Sequence, residues 1–128
     1  MIFVTLEEVL DLHDRSLREH GGLAGVREPG LVESALAAGQ NVFLYRDGDA
    51  FDVAAAYAFH LAESQSFVDG NKRTAISTAL YFLARNGIHH RPAPAEQDTL
   101  YEAMIALATH DLDKAGLAVL FRELFVAR

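Results

Sequence analysis

Apolar residues recur at three- and four-residue intervals through most of the chain, a spacing that predicts helices. Leu6, Leu10, His13 and Leu17 share one face of a first helix. Thr5 and Glu8 stand ahead of that face at the spacing of a capping box, and Gly21-Gly22 ends it. A Gly-rich loop with Pro29 leads to a short helix near Leu31 to Ala38, stopped by Gly39. Phe51 to Ser64 is Ala-rich and apolar on most sides, as expected of a helix near the centre of a bundle. Ile76, Leu80 and Leu83 mark one face of a helix from Lys72 to Arg85, which Asn86-Gly87 closes. Two further helices, near Ala95 to Thr109 and Leu112 to Val126, complete the set. Leu117, Leu120, Phe121, Leu124 and Phe125 form the apolar face of the last.

Asn41 to Ala50 is the least helical stretch. Val42-Phe43-Leu44-Tyr45 has the composition of a short strand, and Arg46-Asp47-Gly48-Asp49 is a turn signal. An ordinary connecting loop fits the same residues. The expected architecture is an all-α compact bundle of about six helices in one domain over residues 1–128, with the helix after Asn71 at its centre and at most a short β-hairpin.

A length of 128 residues suits a single core, and an apolar content of 51% is enough to fold without staples. The chain has no cysteine, which excludes a disulfide framework and thiolate metal sites and is compatible with a reducing cytoplasm. No apolar run approaches the roughly 20 residues of a membrane span. Met1 to Val4 leads directly into Thr5-Leu6-Glu7-Glu8 without a basic region or signal-peptide core, so the expected location is cytoplasmic. A formal net charge of −7 argues against nonspecific nucleic-acid binding. His89-His90-Arg91-Pro92 reads as a solvated loop, because adjacent histidines do not ordinarily ligate one ion from one face.

The chemistry concentrates in Ser66-Phe67-Val68-Asp69-Gly70-Asn71-Lys72-Arg73-Thr74-Ala75. An acid, a glycine, an amide and two cations meet here at a helix start. The first turn of a helix carries free N–H groups and the positive end of the dipole. Gly70 lets that backbone approach an anion, and Lys72 and Arg73 add full charges. Asp69 makes sense there if it holds a divalent cation that the phosphates also touch. The segment therefore reads as a site for Mg²⁺ and the phosphates of a nucleotide. The plainer reading is an Asp-Gly turn, an Asn71 or Asp69 cap and a solvated Lys-Arg pair. A P-loop is excluded, since no glycine precedes the lysine at the required spacing.

This segment resembles the signature of the Fic/Doc family, H-x-F-x-D-[GA]-N-[GK]-R, with Phe67, Asp69, Gly70, Asn71, Lys72 and Arg73 matching. The resemblance extends to His13-Asp14, Gly21-Gly22-Leu23, Arg27 to Leu36 and Leu80 to Gly87, so nearly the whole chain fits the short Doc type. It implies Mg²⁺ on Asp69 and ATP phosphates on Gly70, Asn71, Lys72 and Arg73. AMP-transferring members resemble one another in G-N-G-R-x-x-R; here Lys72 and Ile76 occupy the small-residue and second-cation positions, which is the Doc pattern. That pattern implies transfer of the γ-phosphoryl group of ATP to a threonine of elongation factor Tu, arresting translation. It also implies control by an antitoxin resembling the prevents-host-death protein (Phd), since the chain has no inhibitory run of the form [ST]-x-x-x-E-[GN]. A flap near Val42 to Tyr45 would help dock the target.

One position departs. The family places its catalytic histidine two residues before the phenylalanine, and this chain has Gln65. A glutamine amide has no group that titrates near neutrality and cannot take a hydroxyl proton. His60 is expected to point elsewhere on its helix. The chain is either an inactivated variant or a natural pseudo-enzyme, and a weakly active or catalytically impaired kinase is expected. The other readings are an AMP-transferring Fic enzyme and a non-catalytic module that binds a nucleotide or a protein.

Overall fold

The structure, a computed structural model, describes residues 1–89 and 91–126. His90, half of the histidine pair raised above, lies outside the described residues. Six helices follow in chain order: α1 (Leu6–His20), α2 (Pro29–Arg46), α3 (Ala50–Ser64), α4 (Asn71–Arg85), α5 (Pro94–Ala108) and α6 (Lys114–Val126). The all-α bundle is as the spacing predicts. Among the described residues none forms a β-hairpin, and the extended pairing is a single antiparallel bridge between Val26 and Phe67.

Local chemistry starts the helices where the sequence places them. At α1 the Thr5 hydroxyl accepts from the Glu8 N–H (3.2 Å) and the Glu8 carboxylate accepts from the Thr5 N–H (3.0 Å). The same reciprocal pair opens α3, where Asp49 and Asp52 each accept the other's backbone N–H at 3.0 Å. Arg122 of α6 then binds both carboxylates, tying the last helix to the start of α3.

Two expectations need correction. The second helix does not stop at Gly39 but runs on to Arg46, so Val42 to Tyr45 is helix rather than a strand or flap. A Cβ on Gly39 would sit 2.5 Å from the Tyr57 ring, so this glycine is a point of close approach between α2 and α3 and not a breaker. A glycine inside a helix costs roughly 1 kcal/mol against alanine. Packing against a wholly buried tyrosine offsets that cost. The aromatic run that suggested a strand is the outer face of this helix end, where Leu44 and Tyr45 are exposed.

The central helix is α3, not α4. It packs against α2, α4, α5 and α6, and Val53, Ala54, Tyr57 and Ala58 have no solvent exposure. Its alanines allow neighbours to close in at interior density. α4 lies on one side of it, between α1 and α5, with Phe82 and Leu83 in the core. Among the described residues no helix is long and apolar enough to cross a membrane.

Candidate active site

The segment between α3 and α4 is short, and side chains and backbone of neighbouring segments hold much of it. α3 ends at Gln65, whose φ of 48° and ψ of 47° lie in the left-handed region. The chain then runs extended beside the loop that follows α1: the Arg27 N–H donates to the Ser66 carbonyl (2.7 Å) and the Val68 N–H to the Gly25 carbonyl (3.1 Å). Pairing of this kind leaves the N–H and C=O of Phe67 facing the other way. The Asn71 side chain takes both, accepting from the Phe67 N–H at 3.1 Å and donating to its carbonyl at 3.0 Å. Phe67 is buried, so the amide of Asn71 completes the hydrogen bonding of a backbone that water does not reach.

Gly70 caps α4 with φ 77°. Asp69, just before it, is exposed, and its carboxylate accepts from the Gly70 N–H (2.9 Å) and the Leu23 N–H (3.2 Å). Its carbonyl bonds to Nε2 of His13 at 2.8 Å. The first turn of α4 presents its N–H groups beside this carboxylate.

Lys72 and Gln65 line the same cavity of about 380 Å³, floored by Phe59, Ala62 and Leu107 and closed by Glu63 and His110. Arg73 lines a different one, of about 410 Å³, between the end of α1, α4 and α5. Its guanidinium lies 4.9 Å from the centre of the Tyr101 ring, with Glu19, Asp98 and Glu102 around the same cavity. Ile76 is in that second cavity as well.

The structure thus gathers Gln65, Asp69, Gly70, Asn71 and Lys72 at one helix start and turns Arg73 to its flank. His60 is no substitute for a histidine at residue 65. It faces α6, with Nε2 3.3 Å from the Lys114 ammonium. Burial and the Lys114 charge push its pKa down, so its neutral form is favoured.

His13, on the apolar face of α1, reads from the sequence as structural rather than catalytic, and the structure gives it a specific contact at the site. It is buried at 3% exposure and stacks on Phe67 with ring centres 3.8 Å apart and planes 13° apart. A histidine in the middle of a leucine stripe was the available signal, since a buried imidazole requires a partner.

Asp69 is suited to a hard divalent cation. It is an exposed carboxylate at the positive end of a helix, where phosphate oxygens and water would complete the shell, as is usual for Mg²⁺. Among the described residues no cluster of three or more His, Asp or Glu forms an all-protein metal cage.

An all-α domain with such a helix start defines a class, and the comparisons specify it. The Fic/DOC family matches residues 3–83. The chain is 33% identical over 126 residues to "Protein kinase doc" of Escherichia phage P1, covering 98% of this chain and 97% of that protein. It is 37% identical over 100 residues to "Toxin Doc" of Mycolicibacterium smegmatis, covering 77% of this chain and 76% of the relative. The chain belongs to the Fic/DOC family, on the Doc side of it.

Proposed function

We propose that this chain is a Doc-type toxin of a toxin–antitoxin system, built to transfer the γ-phosphoryl group of ATP to a threonine of elongation factor Tu. The observation that carries this reading is the exposed Asp69 carboxylate beside the α4 N-terminus, with Lys72 of that first turn sharing a cavity with Gln65. Relatives named as a protein kinase and as a toxin support the class.

Asp69 would hold Mg²⁺, which supplies charge neutralisation for the phosphates when bound. Lys72 and the N–H groups of Asn71, Lys72 and Arg73 would bind and stabilise the phosphoryl oxygens. The Asn71 side chain contributes by shaping the loop through Phe67. Arg73, steadied on Tyr101, contributes charge from the flank. Lys72 fills the place that is small in AMP-transferring members, and Ile76 has no charge with which to grip an outer phosphate. Both favour phosphoryl over AMP transfer.

The target hydroxyl must lose a proton as it attacks the γ-phosphorus. By the family's pattern residue 65 is the one to receive it, and a glutamine cannot. General-base assistance is worth about 10² to 10⁴ in rate, so this chain is a kinase short of that factor. Gln65→His should restore it, and histidine tolerates the left-handed backbone found there. Regulation falls to an antitoxin of the Phd kind. Gln65 equally favours a second reading, a module that binds nucleotide or protein without turnover.

The deciding assay offers γ-labelled and α-labelled ATP side by side to the chain and to Gln65→His, with elongation factor Tu. Transfer from γ-labelled ATP alone, much stronger in Gln65→His, is the expected outcome. Transfer from α-labelled ATP alone would overturn the kinase reading. No transfer from either, with no growth arrest on induction, would overturn the kinase reading in favour of the binding module.

A further inference from the structure

We infer that His13 is a positioning residue: through one backbone carbonyl it fixes the peptide that aims the Asp69 carboxylate, an inference resting on the reading of Asp69 as the Mg²⁺ ligand. A carbonyl oxygen only accepts, so the hydrogen between His13 and Asp69 is on Nε2 and the imidazole is the donor. The carbonyl it holds belongs to the Asp69–Gly70 peptide. The N–H on the other side of that same peptide is the one that donates to Asp69 Oδ1 at 2.9 Å. His13 therefore sets the plane of a peptide whose opposite edge holds the carboxylate.

Gly70 explains why such a hold is needed. At φ 77° it occupies a region that glycine enters as easily as the ordinary one. Glycine permits this peptide orientation but does not select it, and rotation of the peptide would carry the Gly70 N–H away from the carboxylate. The bond from α1 makes the selection. The α1 helix is well suited to do so, because His13 is buried and stacked on Phe67. Phe67 in turn is held by Asn71 at the start of α4. The imidazole also lies under Gly70 itself: a Cβ there would be 3.7 Å from its Nε2. One side chain thus packs beneath the loop and orients it.

Two variants separate the hydrogen bond from the packing. His13→Phe keeps a ring against Phe67 and removes the donor. His13→Gln gives up the ring and places an amide nitrogen as many bonds from Cβ as Nε2 is. Loss of an outer partner of a metal ligand typically weakens the site 10- to 100-fold. Calorimetry of the full chain with Mg²⁺ and ATP should show His13→Phe weaker by about tenfold or more, with His13→Gln recovering most of that loss. The Gly70 amide resonance of the nucleotide-free protein, which reports its bond to Asp69, should move in His13→Phe and return toward its original position in His13→Gln. Unchanged affinity and an unchanged Gly70 resonance in a folded His13→Phe would overturn the inference. Equal loss in both variants would also overturn it, since restoring a donor would then recover nothing. If the unaltered chain binds no Mg²⁺-ATP, the reading of Asp69 fails, and the Gly70 resonance still decides whether His13 orients the peptide.

Discussion

Lys72 and Arg73 are neighbours in the chain and open onto different cavities, one shared with Gln65 and the other with Tyr101. Successive residues of an α-helix point about 100° apart, so two adjacent cations at a helix start straddle it. The N-terminal N–H groups lie between them. Positive charge therefore flanks this helix end on two sides, and the two cations have separate surroundings.

Nucleotide binding should show that separation. Asp69→Ala, Lys72→Ala and Arg73→Ala should each weaken ATP binding in the presence of Mg²⁺, by roughly 10- to 150-fold if each loses one charge-assisted contact of about 1.5 to 3 kcal/mol. Only Asp69→Ala should also flatten the dependence on Mg²⁺ concentration. Calorimetry that finds Asp69→Ala and Arg73→Ala unchanged would reject the site assignment.

Asn71→Ala tests whether the loop depends on one amide. The substitution removes both partners of the buried Phe67 backbone, and each unsatisfied group costs about 1 to 3 kcal/mol. The expected loss of stability is about 2 kcal/mol or more, read from denaturant midpoints. A loss below about 0.5 kcal/mol would mean that the loop is held by other contacts.

The Thr74 hydroxyl, one turn into α4, is buried and has no hydrogen-bond partner among the described residues. Thr74→Val replaces it with a methyl of nearly the same shape. Because an unpaired buried hydroxyl is costly, this variant should be about 1 kcal/mol more stable than the original chain. Thermal unfolding at fixed pH would show it, and a clear destabilisation would contradict the unpaired state.

Glu8 carries the clearest pH signal. Burial works against its charge. Hydrogen bonds from the Tyr81 hydroxyl and from Thr5, together with the Arg85 charge, outweigh this and hold its carboxyl below the usual glutamate value. A depressed folded-state value stabilises the protein above the unfolded value and ceases to do so as pH falls through the folded one. Glu8→Gln keeps the capping box and removes the charge. It should be less stable than the original at neutral pH, and the two unfolding midpoints should converge as pH drops below about 4. A gap that persists in acid would assign the effect to packing.

Much of the fold was legible because its signals are local. The Thr5–Glu8 pair, the leucine stripe of α1 and the Asn86-Gly87 stop of α4 each act within a few residues. Gly39 misled for the opposite reason, since its meaning depends on Tyr57 in another helix. The displaced centre of the bundle follows from α2 being a full helix: with α2 extended to Arg46, α3 gains a long neighbour that the sequence had broken in two. At the site, the residues of one contiguous segment were identifiable by their chemistry. His13 and Tyr101 come to it from α1 and α5, distant in sequence, and nothing short of the tertiary structure joins them to Asp69 and Arg73.

Gln65 closes α3 with its backbone in a left-handed turn, a conformation that costs a residue with a side chain roughly 1 to 2 kcal/mol and glycine almost nothing. Helices commonly end in glycine at such a point. Gln65→Gly would relax the backbone while removing from the cavity the side chain that follows Glu63 along its wall. The corner is thus a place where conformational ease and chemical capacity pull against each other, and any group that is to act there must be one that can live on a left-handed backbone.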